Sequence, residues 1–485
     1  MTLKDKAIKG ASWSLAGHII QSISSFIIGI ILARLLTPAE YGLVGMAGVF
    51  IFVTYVFVDS GFSTALIQRP VCTNADYSTV FYINLVISLF FFILLYFTAG
   101  LIADFYSEPE LVSIIRALAF LIILYALSIV HRSIITRKIN FKLLNLIQIT
   151  SQIASGIIGI ILAYKGYGVW SLVWKTLLNQ LFVNLQFWIF NKWYPTFEFS
   201  LRSLRQMFSF SSKLLATGII NKIYEQLYNL IIGKFFSARE LGLYTRANQF
   251  KNLPSQSLSG AIMSVSFPVF AQVQNDPVRL KHIAKKIIKA TMFVNITAML
   301  GMAAISKYLI VALVGMKWID ATVYLQLLCI VGLFYPLHPI NLNIITALGR
   351  SDLFLRLEII KKLLAVPVIL IGILTSVKIM IIGMIVTSIA AIFINSYYTK
   401  KLIDYGIKEQ FSDISGSLLA GIIMSIIVFI IGFLFSTIES KILLLTFQVL
   451  TGIVVTIGIA AGFKMSEYLE FKNIVITRFL RKGQK

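Results

Sequence analysis

Acidic residues are scarce in this chain: 20 Asp and Glu stand against 43 Lys and Arg in 485 residues. Acids this sparse supply no cluster within the apolar runs from which a metal-dependent active site could be built. Cysteine is nearly absent. Cys72 and Cys329 lie far apart and near no histidine pair, which argues against a disulfide framework or a zinc site and leaves two thiols behaving as small apolar residues. There is no Walker A glycine loop, HExxH or GxSxG, and no polar loop large enough for a glycosyltransferase site. The apolar–polar alternation of a membrane barrel is missing too. The start, MTLKDKAIKGASWSL, is basic like a signal peptide, but no small-residue cleavage site follows, so it reads as a retained first helix. Neither a cofactor nor a metal is expected.

What is abundant is apolar. Hydrophobic residues make up 58% and charged residues 13%, whereas soluble domains hold roughly 45–50% and about 25%. Spanning-length apolar runs recur throughout, so the chain is expected to be an all-α polytopic membrane protein. Fourteen segments are placed, at about 12–34, 43–66, 79–103, 112–134, 145–164, 167–190, 209–233, 246–271, 285–313, 320–347, 355–377, 380–400, 414–436 and 442–463.

A net charge of +23 would naively suggest nucleic acid. The charges instead fall in alternate loops, as the positive-inside rule requires. Lys4, Lys6 and Lys9 open the chain, Arg132, Arg137, Lys138 and Lys142 gather around the connection of segments 4 and 5, and Arg478, Arg481, Lys482 and Lys485 close it. Both termini are therefore expected in the cytoplasm, with no nucleic-acid partner.

A repeat sets the domain organisation. ILARLLTPAEYGL (31–43) returns as IGKFFSARELGLY (232–244), matching Arg34 to Lys234, Glu40 to Glu240, Gly42 to Gly242 and Leu43 to Leu243. Ile134-Ile135-Thr136 returns as Ile344-Ile345-Thr346 at an offset grown to 210. Segments 1–6 thus map onto 7–12, two six-helix lobes in parallel order, which is a transporter architecture. The expected divisions are a lobe at 1–190, an amphipathic surface linker at 191–208, a lobe at 209–400, and segments 13 and 14 with a basic tail at 401–485. Pro38 and Gly42 shape the first hairpin, and Glu40 is expected to cap the helix after it.

Charges inside spans are costly and tend to face a cavity or a partner. The candidates are Arg34, Asp59, Lys175, Lys222, Glu225, Arg246 and Lys251, with Asn248 and Gln249 beside the last two. Five of the seven are basic, and a basic water-filled cleft between the lobes favours an anionic group such as phosphate. Segment 1 adds Gln21 and several serines, which could bond sugar hydroxyls or equally join helices.

The stretches LARLLTPAEYGLV, DSGFSTALIQR, STVFYINL, SEPEL, RKINFK, IIGKFFSARELGLYTRANQ, FPVFAQVQNDP and TALGRSDLFLRLE run in order from about residue 30 to 360. Together they resemble the Wzx-type polysaccharide flippases of the multidrug/oligosaccharidyl-lipid/polysaccharide exporter superfamily, in the colanic-acid-exporter and lipopolysaccharide branch. The resemblance implies alternating access and the flipping of an undecaprenyl-diphosphate-linked oligosaccharide across the inner membrane, by a monomer that is no enzyme, with polysaccharide polymerase or assembly proteins as further candidate partners. It points to Arg34, Arg69, Lys222, Arg246 and Lys251 as the cationic cleft, with Asp59 and Glu225 as acidic partners and Gln21 and Asn248 as polar ones. Asn248 stands where the resemblance expects a tyrosine. A drug or cation exporter of the same fold would want acids in segment 1, which has none, and a membrane polymerase would want a long periplasmic loop.

Overall fold

A computed structural model describes the backbone of residues 3–465 and 468, and their side chains except at 3–12, 14, 15 and 255–265. The charges at Lys4, Lys6, Lys9 and in the tail beyond residue 468 lie outside the described side chains. All described regular structure is helical: α1 (Leu3–Leu35), α2 (Pro38–Asp59), α3 (Phe62–Gln68), α4 (Asn74–Tyr106), α5 (Leu111–Arg137), α6 (Phe141–Tyr164), α7 (Val169–Asn191), α8 (Leu201–Phe235), α9 (Ala238–Gln272), α10 (Pro277–Val314), α11 (Ala321–Leu333), α12 (Leu337–Ala347), α13 (Ser351–Leu374), α14 (Val377–Ile403), α15 (Ile407–Leu434) and α16 (Lys441–Gly462).

Every predicted segment falls on helix. Two are broken: the second bends at Ser60-Gly61, both left-handed (φ 46° and 73°), into α2 and α3, and the tenth divides into α11 and α12. Ten described stretches are long and apolar enough to cross a membrane. They leave out α7, α8, α9 and α13, which are of 23, 35, 35 and 24 residues but carry more polar side chains. Large apolar residues stand exposed on α4 (Val86, Phe90, Phe97, Leu101) and on α16 (Leu443, Leu450, Val454), as a lipid solvent allows. The chain is a multi-pass membrane protein.

The contacts form two units, Met1–Gly242 and Leu243–Lys485. In the first, α4 packs on α5, α6 on α7, and α5 on α7; in the second, α10 packs on α11, α13 on α14, and α11 and α12 on α14. This is one pairing scheme used twice. Helix α8 packs on α2 and α4 and so belongs to the first unit. The surface helix expected in the linker is not separate: residues 192–200 are non-helical, and the helix that starts at Leu201, capped by Ser200, runs unbroken to Phe235. Its first turns bury Ser203 and Met207, the latter among Leu66, Phe81 and Val130, so burial against the unit carries the helix straight through.

Local hydrogen bonds repeat as well. Leu36 N–H donates to the Leu32 carbonyl and Phe236 N–H to that of Ile232. Glu40 N–H donates to Thr37 Oγ1 (3.4 Å) and Glu240 N–H to Ser237 Oγ (3.1 Å). The Glu40 carboxylate accepts from Thr37 N–H at 2.6 Å, completing the expected capping box. At the other offset, α5 ends with Lys138 to Ile134, Ile139 to Thr136 and Asn140 to Ile135, and α12 ends with Leu348 to Ile344, Gly349 to Thr346 and Arg350 to Ile345.

Candidate functional site

In the first unit the charged candidates fall into three groups. Arg34 is exposed in the last turn of α1. Gln21 lies higher on α1, where its backbone carbonyl accepts from Gln152 Nε2 at 3.2 Å. This ties α1 to α6.

Arg69 lies at the end of α3. Its guanidinium donates to Asp76 Oδ1 (3.1 Å) and Gln206 Oε1 (3.0 Å), joining α3, α4 and α8. The Asp76 carboxylate is buried and also accepts from Thr73 N–H at 2.7 Å. Arg137 closes the same corner by donating to the carbonyls of Leu66, Arg69 and Pro70. The cysteine here, Cys72, is half-buried in the α3–α4 loop, and burial raises its thiol pKa.

The third group runs along one face of α2. Lys222 on α8 bonds Glu225 at 2.9 Å and places its ammonium 5.7 Å from the Phe52 ring centre. Phe52 meets Tyr55 edge-on at 6.2 Å, and Tyr55 stacks on Tyr125 of α5 with centroids 4.3 Å apart and planes 22° apart. One turn on, Asp59 accepts from Ser63 N–H (3.2 Å) and Ser63 Oγ (2.9 Å), bridging the break between α2 and α3. Beyond it an apolar hollow of about 590 Å³ is lined by Phe57, Phe62, Phe90, Phe91, Leu204 and Phe208 among others.

The second unit holds Arg246, Asn248 and Lys251 on α9. Arg246 is buried, donates to Gln249 Oε1 at 2.8 Å and lies 5.3 Å from the ring centre of buried Trp318. Asn248 and Lys251 are half-buried. The Lys251 stem runs so close to α11 that a Cβ on Gly332 would sit 3.3 Å from its Cδ. Lys175 packs against Gly159 in the first unit. The structure thus brings Lys222, Glu225, Phe52, Tyr55 and Asp59 together along α2, sets Arg246 beside Trp318, and leaves Arg69 in an ion pair at a helix junction.

Sequence reasoning missed the aromatic members, Phe52, Tyr55, Tyr125 and Trp318. The only signal, the 52–55–59 spacing that shares a helical face, bears on Phe52 and Tyr55 alone. In a chain with 37 Phe and 20 Tyr that signal is lost among aromatics facing lipid.

A family described as "Polysaccharide biosynthesis protein" matches residues 31–323. The Bacillus subtilis teichuronic acid biosynthesis protein TuaB is 26% identical over 73% of this chain and 73% of its own length. The Escherichia coli lipopolysaccharide biosynthesis protein WzxC is 26% identical over 77% of this chain and 76% of its own. Among solved structures, the lipid II flippase MurJ in an inward closed conformation superposes with a TM-score of 0.74 at 15% identity, covering 94% of this chain and 98% of that one. An inward-facing multidrug resistance MATE family transporter of the MOP superfamily gives 0.60 at 15% identity, over 79% and 94%. At those identities the likeness fixes the fold, a transporter fold. The match to the family spans more than half of the sequence, and the chain belongs to the polysaccharide biosynthesis protein family.

Proposed function

We propose that the protein is a flippase for undecaprenyl-diphosphate-linked oligosaccharide, moving polysaccharide repeat units from the cytoplasmic to the periplasmic leaflet of the inner membrane by alternating access. The termini face the cytoplasm, the protein acts as a monomer, and polymerase or assembly proteins take over its product. It performs no chemistry on the sugar.

One observation carries this reading, the charge balance of the candidates. Arg34, Lys175, Lys222, Arg246 and Lys251 outnumber Asp59 and Glu225, and both acids are engaged: Asp59 bridges to Ser63 and Glu225 pairs with Lys222. The surplus is positive and suits a diphosphate. Among the described residues no cluster of His, Cys, Asp and Glu could hold a metal. The names of TuaB and WzxC, both polysaccharide biosynthesis proteins, support the same substrate class, and the lipid II flippase title supports the lipid-linked form.

The test is genetic and chemical. Deleting the gene in a strain without a redundant flippase should make the lipid-linked repeat unit accumulate in the cytoplasmic leaflet. Lys222→Ala and Arg246→Ala should fail to clear it. An absence of accumulation sinks the flippase reading, and full rescue by both variants sinks the role of the basic residues.

A further inference from the structure

We infer that the α2 face bearing Phe52, Tyr55 and Asp59, together with Tyr125 of α5 and Lys222 of α8, is a docking strip for the glycosyl part of a lipid-linked saccharide. This deepens the flippase reading and rests on it.

The strip is not a lipid-facing surface. Phe52 is 45% exposed, and Tyr55, Tyr125 and Asp59 are half-buried, so the strip is open at Phe52 and partly covered beyond it. An uncovered face in hydrocarbon would carry no carboxylate and no ion pair, because each costs several kcal/mol there. Here it holds Asp59 at one end and Lys222–Glu225 at the other. The face therefore meets water or a polar ligand.

The groups suit a pyranose. A sugar ring has an apolar C–H face and a rim of hydroxyls. Aromatic faces and edges bury the former, and carboxylate and phenol groups bond the latter. The stacked Tyr55–Tyr125 pair makes a rigid aromatic ledge that crosses from α2 to α5. Neither hydroxyl has a hydrogen-bond partner among the described residues. The Asp59 carboxylate accepts two bonds, both from Ser63, out of about four acceptor positions, so acceptor capacity remains. The Lys222 ammonium lies beyond Phe52, placing a cation at the end of the aromatic row where the diphosphate of a bound lipid-linked sugar would lie.

The inference separates sugar binding from diphosphate binding, and the test uses that. Wild-type protein in nanodiscs is titrated with undecaprenyl diphosphate and, separately, with the undecaprenyl-diphosphate-linked repeat unit extracted from the host's own membranes. Tyr55→Ala and Tyr125→Ala should each weaken binding of the repeat unit about three- to tenfold and leave undecaprenyl diphosphate unchanged. Lys222→Gln should weaken both. Should the alanine variants not fold, Tyr55→Phe and Tyr125→Phe decide the matter: the ring packing is kept, and loss of a hydroxyl bond should weaken the repeat unit alone by about twofold or more. Equal weakening of both probes by the phenylalanine variants, or no change in either, overturns the strip while leaving the flippase reading standing. Wild-type protein that binds neither probe overturns the flippase reading and the strip with it.

Discussion

Gly42 and Gly242 each lie against the backbone of the other's hairpin. A Cβ on Gly42 would fall 1.7 Å from the carbonyl oxygen of Ala238, and one on Gly242 would fall 1.8 Å from that of Pro38. The two glycines stand 200 residues apart in sequence, as do Pro38 and Ala238, so the contact is reciprocal and each repeat supplies both halves of it. No side chain fits at either position unless the hairpins part. Gly42→Ala and Gly242→Ala should each lower stability by about 1–3 kcal/mol. The double variant should be no worse than the weaker single one, because either methyl already opens the shared contact. Thermal melting in detergent measures this, and additive losses would show that the two glycines act separately.

The second echo of the repeat yields a prediction of opposite sign. Ile139 and Gly349 occupy the same place after α5 and α12, both left-handed, with φ of 54° and 74°. Glycine takes that conformation freely, whereas a β-branched residue is strained by about 1–2 kcal/mol. Ile139→Gly should therefore raise the melting temperature and Gly349→Ile should lower it. A fall in both would mean that the Ile139 side chain contributes more by packing than its backbone costs.

These two echoes were legible because they are local. Turn residues and caps obey short-range rules, and the capping box at Thr37–Glu40 follows from the sequence alone. Apolar runs likewise placed the helical stretches, though not their number. The break at Ser60-Gly61 was not read from the sequence, since the short polar patch Asp59-Ser60-Gly61 lies inside an apolar run of spanning length and reads as a charge within one helix, and neither was the unbroken course of α8, whose polar start reads as a surface strap until Met207 is seen to be buried. Asp76 and Asp276 stand 200 residues apart, the offset of the first echo, yet Asp76 is the third residue of its helix and Asp276 is an N-cap. Short-range likeness cannot resolve a shift of a few residues. The candidate site was legible only in its charges, because a costly intramembrane charge is conspicuous and one more aromatic is not.

The ion pair of Arg69 discriminates between structure and substrate. Its carboxylate partner, Asp76, is 2% exposed, and Arg69 itself is 28% exposed. Removing the guanidinium leaves a buried carboxylate with Thr73 and Ser203 but no counter-charge, a loss of about 1–3 kcal/mol once partial solvent screening is allowed for. Arg69→Ala should lower the melting temperature, and Asp76→Asn in the same background should restore part of it. An unchanged melting temperature with loss of transport would instead assign Arg69 to the substrate.

Gln410 ties α15 to α12 and α14. Its side chain, at the start of α15, accepts from Asn341 Nδ2 (3.1 Å) and Ser396 Oγ (3.1 Å) and donates to Asn341 Oδ1 (3.2 Å), Thr399 Oγ1 (3.3 Å) and the Tyr405 carbonyl (3.2 Å). All four side-chain partners in this hub, Gln410, Asn341, Ser396 and Thr399, are buried. A fully satisfied amide in a low-dielectric setting fixes α12, α14 and α15 in one register. Nearby, Lys281, Lys285 and Lys289 of α10 pair with Glu409 and Asp413 of α15 at 2.8–3.5 Å, but these lysines are partly exposed and screened, so they add less per pair. Gln410→Leu should cost about 2–4 kcal/mol, because Asn341 loses both partners and cannot reach water. Adding Asn341→Leu should recover part of that loss, since two facing apolar groups leave fewer unpaired amides. A Gln410→Leu loss no larger than that of Glu409→Gln would show that the surface lysines, and not the buried amide, anchor α15.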